Sequence, residues 1–265
     1  MLVAEFAQYQ EFRGFSAKTV GRRTWTLRTL AEHVAPHQLL EVTPREVIAF
    51  LSTRPSAQTR YALLSDIRQF FRWANRQQYT TNDPTALIDP PRVPSRVPTP
   101  LTGDQIHRAC GAATPRVRLM IMCSAYAGLR VSEIAALHTD NLKHASRIVV
   151  RDGKGGKDRV VPLAPILDVA LYIWCDGRVG QVFPRATPDN VSDQIRRTFR
   201  RVGIYNRPHD LRASFGTEAA RRSNGNLVLV AALLGHASVL TIQRYVRWNP
   251  DGTDVVSDLY GDDAA

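Results

Sequence analysis

From Asp89 to Thr102 the chain reads Asp-Pro-Pro-Arg-Val-Pro-Ser-Arg-Val-Pro-Thr-Pro-Leu-Thr, a stretch with five prolines. Each proline removes an amide donor and disfavours helix in its neighbourhood, so no regular element can run through the segment. An extended linker is therefore predicted over residues 89–101, dividing the chain into residues 1–88 and 102–265. At 265 residues the chain is long enough for two bodies, each with its own core. No internal repeat or low-complexity segment interrupts either part.

The first part reads as all helical. Apolar residues recur at helical spacing in Leu2–Phe12, Thr19–Val34 and Tyr61–Ala74. Ser16 is placed to cap the second helix and Ser56 the fourth, while Thr43-Pro44-Arg45-Glu46 has the capping-box pattern with proline at the first helical position. The fourth helix shows Tyr61, Leu64, Ile67, Phe70, Phe71 and Trp73 as its apolar set. A four-helix bundle with basic outer faces is the expectation, with Lys18, Arg22, Arg60 and Arg68 as candidate phosphate contacts.

The second part is mixed. Thr102 with Gln105 opens a helix, and Val117–Tyr126 gives another. Arg147–Arg151 and Arg159–Leu163 are β-rich runs around Asp-Gly-Lys154-Gly-Gly-Lys157, which reads as a hairpin with a glycine-supported turn. Helices are predicted at Ala164–Trp174, Pro188–Val202, His209–Arg222, Leu227–Leu234 and Ser238–Val246. The segment after these is acidic, with Asp251, Asp254, Asp258, Asp262 and Asp263. Val255, Val256 and Leu259 give it a surface for docking on a neighbouring subunit. The expected class is mainly α with a small β-sheet.

A net charge of +11 and a pI near 10.1 favour a polyanionic partner, of which duplex DNA is the commonest. Residues 1–100 carry 13 basic and 8 acidic side chains and residues 101–265 carry 22 and 16, so both parts are positive. Only Lys18, Lys143, Lys154 and Lys157 are lysines; the other basic residues are arginine, the better phosphate fork. Cys110, Cys123 and Cys175 have neither pairing nor metal-ligand spacing and suit a reducing cytosol. No signal-peptide pattern or span of ~20 apolar residues is present, so a soluble cytoplasmic protein without a membrane partner is expected.

Five motifs carry the chemistry: Gly-Leu-Arg130-Val-Ser-Glu133, Asp-Gly-Lys154-Gly-Gly-Lys157, His209-Asp-Leu-Arg212, Leu-Gly-His236 and Thr-Ile-Gln-Arg-Tyr245. Cleaving a phosphodiester without a metal requires an attacking group, fixed cations for the nonbridging oxygens and an acid for the leaving oxygen. Arg130 and Arg212 suit the cationic role, since arginine stays charged and binds two oxygens in a planar fork. His209 and Arg212 are three apart and share a helix side. Glu133, one turn after Arg130, is placed to orient it. Lys154 is the candidate general acid, because unlike arginine it can release a proton, and Lys157 is its alternative or a DNA-backbone contact. Tyr245 is the candidate nucleophile. The histidines lack metal-ligand spacing, so no metal site is expected.

The order, spacing and flanking residues of Arg130, Lys154, His209-x-x-Arg212, His236 and Tyr245 resemble the tyrosine recombinase (phage integrase, Xer-like) family. The resemblance implies that these six are catalytic and that Tyr245 forms a 3′-phosphotyrosyl link, freeing a 5′-OH, without metal, ATP or other cofactor. It further implies a SAM-like N-terminal core-binding domain that clamps DNA with a mixed α+β catalytic domain. Four protomers would exchange strands through a Holliday junction on double-stranded DNA bearing an inverted-repeat core site. The chain begins almost directly with the bundle, which leaves no room for the arm-type domain of larger integrases and brings in an accessory directionality factor as a further partner. Two rivals share the fold or chemistry: a type IB topoisomerase-like relaxing enzyme and a non-catalytic DNA-binding regulator. The separate bundle and tail favour a recombinase over the first, and the complete catalytic set argues against the second. A metal-dependent nuclease would need clustered carboxylates, and none stand out.

Overall fold

The structure is a computed structural model that describes residues 1–94, 98–142, 146–153 and 157–235; of Asp152, Gly153 and Lys157 only the backbone is described. It is mainly helical, with one two-stranded sheet among the described residues. The chain forms two compact units, Met1–Ser95 and Arg96–Ala265. Among the described residues no helix is long and apolar enough to cross a membrane.

The first unit holds α1 (Leu2–Phe12), α2 (Ala17–Val34), α3 (Pro44–Ser52) and α4 (Ala57–Arg76). The polar residues read as caps act as such. The Ser16, Thr43 and Ser56 hydroxyls accept from the amides of Thr19, Glu46 and Thr59, each filling an orphan donor of a first turn. Phe6, Leu27, Leu30, Phe50, Leu64, Ile67, Phe70 and Phe71 fill the core, and the Phe6 and Phe70 rings meet edge to face at 5.5 Å. Tyr61 departs from the sequence reading. It is 46% exposed, because the buried arc of α4 runs through Leu63, Ile67, Phe70 and Ala74 and leaves Tyr61 outside it.

The second unit is built around α6 (Pro115–Ala127), which is buried on nearly every side, as a helix apolar all round must be. Around it lie α5 (Gly103–Ala112), α8 (Pro165–Cys175), α9 (Pro188–Arg201) and α10 (Pro208–Arg222). α6 ends at Gly128 with φ +62°, where a Cβ would sit 2.6 Å from the Phe215 ring, so the turn needs glycine for both conformation and space. That turn delivers Leu129 and Arg130 to the short α7 (Val131–Ala135), which packs on α9.

β1 (Arg147–Gly153) and β2 (Lys157–Pro162) pair antiparallel, with Val149 opposite Val160 and an irregularity between Val150 and Gly153. α11 (Leu227–Leu234) closes on Gly235 at φ +60°. Thr99 and Leu101, at the end of the proline-rich stretch, are held to this unit. Thr99 O accepts from Asn206 Nδ2 at 2.7 Å, and the Leu101 amide donates to Ser214 Oγ at 2.7 Å. The expected helix Ser238–Val246 and the acidic segment lie outside the described residues.

Candidate active site

Glu133 is the centre of the site. Its Oε1 accepts from Arg130 Nη1 at 2.7 Å and Arg159 Nη1 at 2.8 Å; its Oε2 accepts from the Arg130 amide at 2.8 Å and Arg159 Nη2 at 2.7 Å. Arg212 Nη1 lies 3.8 Å from the same Oε2. One carboxylate thus organises three guanidiniums brought from α7, β2 and α10. Burial pushes the Glu133 pKa up, but hydrogen bonds from Arg159 and the Arg130 amide, then the Arg159 charge, more than reverse this and hold it at about 2.

The three arginines differ in access. Arg212 is 2% exposed and Arg130 about one-fifth exposed. Arg212 donates Nη1 to Gly128 O and Nη2 to Leu234 O, joining the end of α6 to the end of α11. A long cation in that position satisfies the orphan carbonyls at two helix ends. Leu234 precedes His236 by two residues, so the guanidinium anchors the backbone that leads to it.

His209 lies at the start of α10, just behind Pro208. The residue is exposed, yet the surrounding protein lowers its pKa by desolvation, and the Arg212 and Arg130 charges add to this while Asp210 opposes it. These influences favour the neutral imidazole, which can donate from one nitrogen and accept at the other. Arg130, Ser132, Arg196, Arg207 and His209 line a cleft of about 480 Å³. An anion entering this cleft meets several cationic side chains and the His209 imidazole.

The structure thus brings together four sequence-predicted residues, Arg130, Glu133, His209 and Arg212. Lys154, His236 and Tyr245 lie outside the described residues, as does the Lys157 side chain. Arg159 escaped the sequence reading. Along β2, Asp158 and Val160 are exposed while Arg159 and Val161 are buried, so strand alternation places Arg159 on the inner face.

In the first unit the candidate DNA contacts fare differently. Lys18 is exposed on α2. Arg22 is paired with the buried carboxylate of Asp66, Arg68 donates to Ile88 O, and Arg60 Nη1 donates to Arg54 O at 2.8 Å. Beside them stands a feature that the sequence reading passed over: Trp25 is 52% exposed, with the Arg54 guanidinium 5.9 Å from its ring centroid.

The Phage integrase family model matches residues 100–251, a span that contains all six motif positions from Arg130 to Tyr245. Tyrosine recombinase XerA of Pyrococcus horikoshii is 27% identical over 265 residues, covering 93% of this chain and 88% of that protein. Tyrosine recombinase XerC of Azotobacter vinelandii is 32% identical over 210 residues, covering 72% of this chain and 70% of its own. A solved lambda integrase tetramer bound to a Holliday junction matches with a TM-score of 0.76 at 17% identity, over 92% of this chain and 76% of that one, a likeness of fold. The chain belongs to the phage integrase family of tyrosine recombinases.

Proposed function

We propose that the protein is a site-specific DNA recombinase that breaks and rejoins strands through a 3′-phosphotyrosyl intermediate at Tyr245. The observation that carries this reading is the gathering of Arg130 and Arg212 on Glu133, with His209 beside Arg130 in an open cationic cleft. Arg130 neutralises the nonbridging oxygens of the scissile phosphate. Arg212 supplies positive potential from behind and holds the approach to His236. His209 donates a hydrogen bond to the phosphoryl group without adding a second like charge. Lys154 protonates the leaving 5′ oxygen and His236 completes the site. Attack by the Tyr245 oxygen breaks the P–O5′ bond and forms a P–O–tyrosyl bond; the 5′-OH of a partner strand reverses it. The ester bond is exchanged, not hydrolysed, so no ATP, metal or other cofactor is consumed. Four protomers acting through a Holliday junction on an inverted-repeat core site, in the cytoplasm and with an accessory directionality factor, complete the proposal.

The test is a nicked suicide duplex carrying the cognate core site, incubated in EDTA. A covalent adduct with DNA retaining a free 5′-OH is expected. An absolute need for Mg²⁺, or a 5′-linked adduct, would remove this reading.

The first unit is proposed as the core-type DNA-binding domain. The outer face of α2 carries Lys18, Gly21, Arg22 and Trp25, and a Cβ on Gly21 would meet nothing within 4 Å. No packing among the described residues explains a glycine there, which costs about 1 kcal/mol against alanine. Close approach of a duplex backbone supports it. Gly21→Glu is expected to raise the melting temperature slightly yet weaken duplex binding roughly tenfold through like-charge repulsion. Unchanged affinity in a filter-binding titration would make this face an ordinary solvated one.

A further inference from the structure

Arg159 uses three donor nitrogens on two different segments. Nη1 and Nη2 grip the two oxygens of Glu133 on α7 at 2.8 and 2.7 Å, and Nε donates to Leu233 O of α11 at 3.1 Å. Its side chain is 7% exposed. The stem is confined as well, since a Cβ on Gly235 would lie 2.8 Å from Arg159 Cδ. Arg159 thereby joins β2 to α7 and to the end of α11. Each of these segments adjoins a different proposed catalytic group: the Lys154 hairpin precedes β2, Arg130 caps α7, and His236 follows Gly235. A bidentate guanidinium with a third donor in use admits one relative placement of all three segments.

We propose that Arg159 is a positioning residue that sets the hairpin, the Arg130 cap and the α11 terminus in a single register, so that groups from all three reach the same phosphate. This rests on the strand-cleaving reading above. Buried ion pairs contribute little net stability and are better attested as devices that fix one arrangement over others. Arg159 also keeps Glu133 ionised, because its hydrogen bonds head the influences that oppose the desolvation of that carboxylate.

The experiment compares the intact chain with Arg159→Lys, following adduct formation on the suicide duplex, duplex affinity, and the pH dependence of cleavage. Lysine keeps the charge but loses the fork and the third donor. Cleavage is expected to fall about 100-fold, as for a displacement of about 1 Å at a reacting centre. Affinity should stay within about threefold, the range expected when backbone contacts elsewhere carry the binding. The acid limb of the rate profile should move to higher pH, because Glu133 protonates more readily without its fork partner.

If Arg159→Lys does not fold, Gly235→Ala provides the second test, since it keeps the charge and crowds the stem. It should reduce cleavage by more than it reduces affinity. Wild-type cleavage rates in the variant, an unmoved acid limb, or parallel loss of affinity and cleavage in both variants would reduce Arg159 to a structural ion pair. Failure of the wild type to form any adduct would instead strike the recombinase reading itself.

Discussion

Tyr245→Phe is expected to eliminate the covalent adduct, with cleavage falling by roughly 10⁴–10⁶-fold, the scale on which loss of a nucleophile disables a covalent mechanism. The substitution keeps the ring and removes only the attacking oxygen, so duplex affinity should be retained. A phenol with its ordinary pKa near 10 is a poor nucleophile at neutral pH, and a cationic setting of the kind built around Glu133 lowers the cost of the phenolate. Tyr260 offers the control. It sits in sequence between Asp258 and Asp262, where negative charge opposes ionisation, and Tyr260→Phe should form adduct at the wild-type rate. Adduct persisting in Tyr245→Phe on a denaturing gel would assign the attack to another side chain.

Glu133→Gln is expected to cost the second unit about 3–5 kcal/mol, the penalty for leaving buried cations without their counter-ion. Glutamine has nearly the same shape, so little of this is packing. Its amide can face only one oxygen toward the arginines, where each oxygen of the carboxylate accepts hydrogen bonds from both Arg130 and Arg159. Cleavage should fall with stability and by more, because Arg130 and Arg159 both lose their anchor.

The pH dependence carries a distinct signature. Glu133 has a folded pKa of about 2 against an ordinary 4.5, so its ionisation favours the folded state above pH 4.5. That contribution, on the order of 3 kcal/mol, disappears as pH falls from 4.5 through 2. Urea titrations should therefore show a stability gap between wild type and Glu133→Gln that is constant above about pH 5 and narrows below it. A gap independent of pH down to 3 would mean that the carboxylate is not held by its arginines.

Much of the local structure was legible because it is written in short-range chemistry. Ser16, Thr43, Ser56 and Thr102 mark helix starts through the hydroxyl that accepts from the third amide onward, and the hairpin is marked by β-branched runs on either side of glycines. The pairing of Arg130 with Glu133 was also readable, since both lie within one turn. Contacts between distant segments were not. Arg212 reads as a cation for the phosphate, and its burial against Gly128 O and Leu234 O shows only in the convergence of α6, α10 and α11. Arg22, Arg60 and Arg68 read as cations for a phosphate, and each also has an acceptor in its own chain, which a helical period does not reveal. Arg159 was missed because a cation in a short β-rich run looks like an outward position until its neighbours' exposure is known.

If Arg130 acts on the negative charge of the scissile phosphate, a neutral substrate must relieve the need for it. On an ordinary suicide duplex, Arg130→Ala should cleave roughly 10²–10³-fold more slowly than wild type, the effect of removing one preorganised donor. On a duplex whose scissile phosphate is replaced by an uncharged methylphosphonate, the deficit should shrink by about an order of magnitude or more, because the charge that the guanidinium neutralises is gone. An equal deficit on both substrates would show that Arg130 supports the fold or the DNA backbone and does not serve the reacting phosphorus.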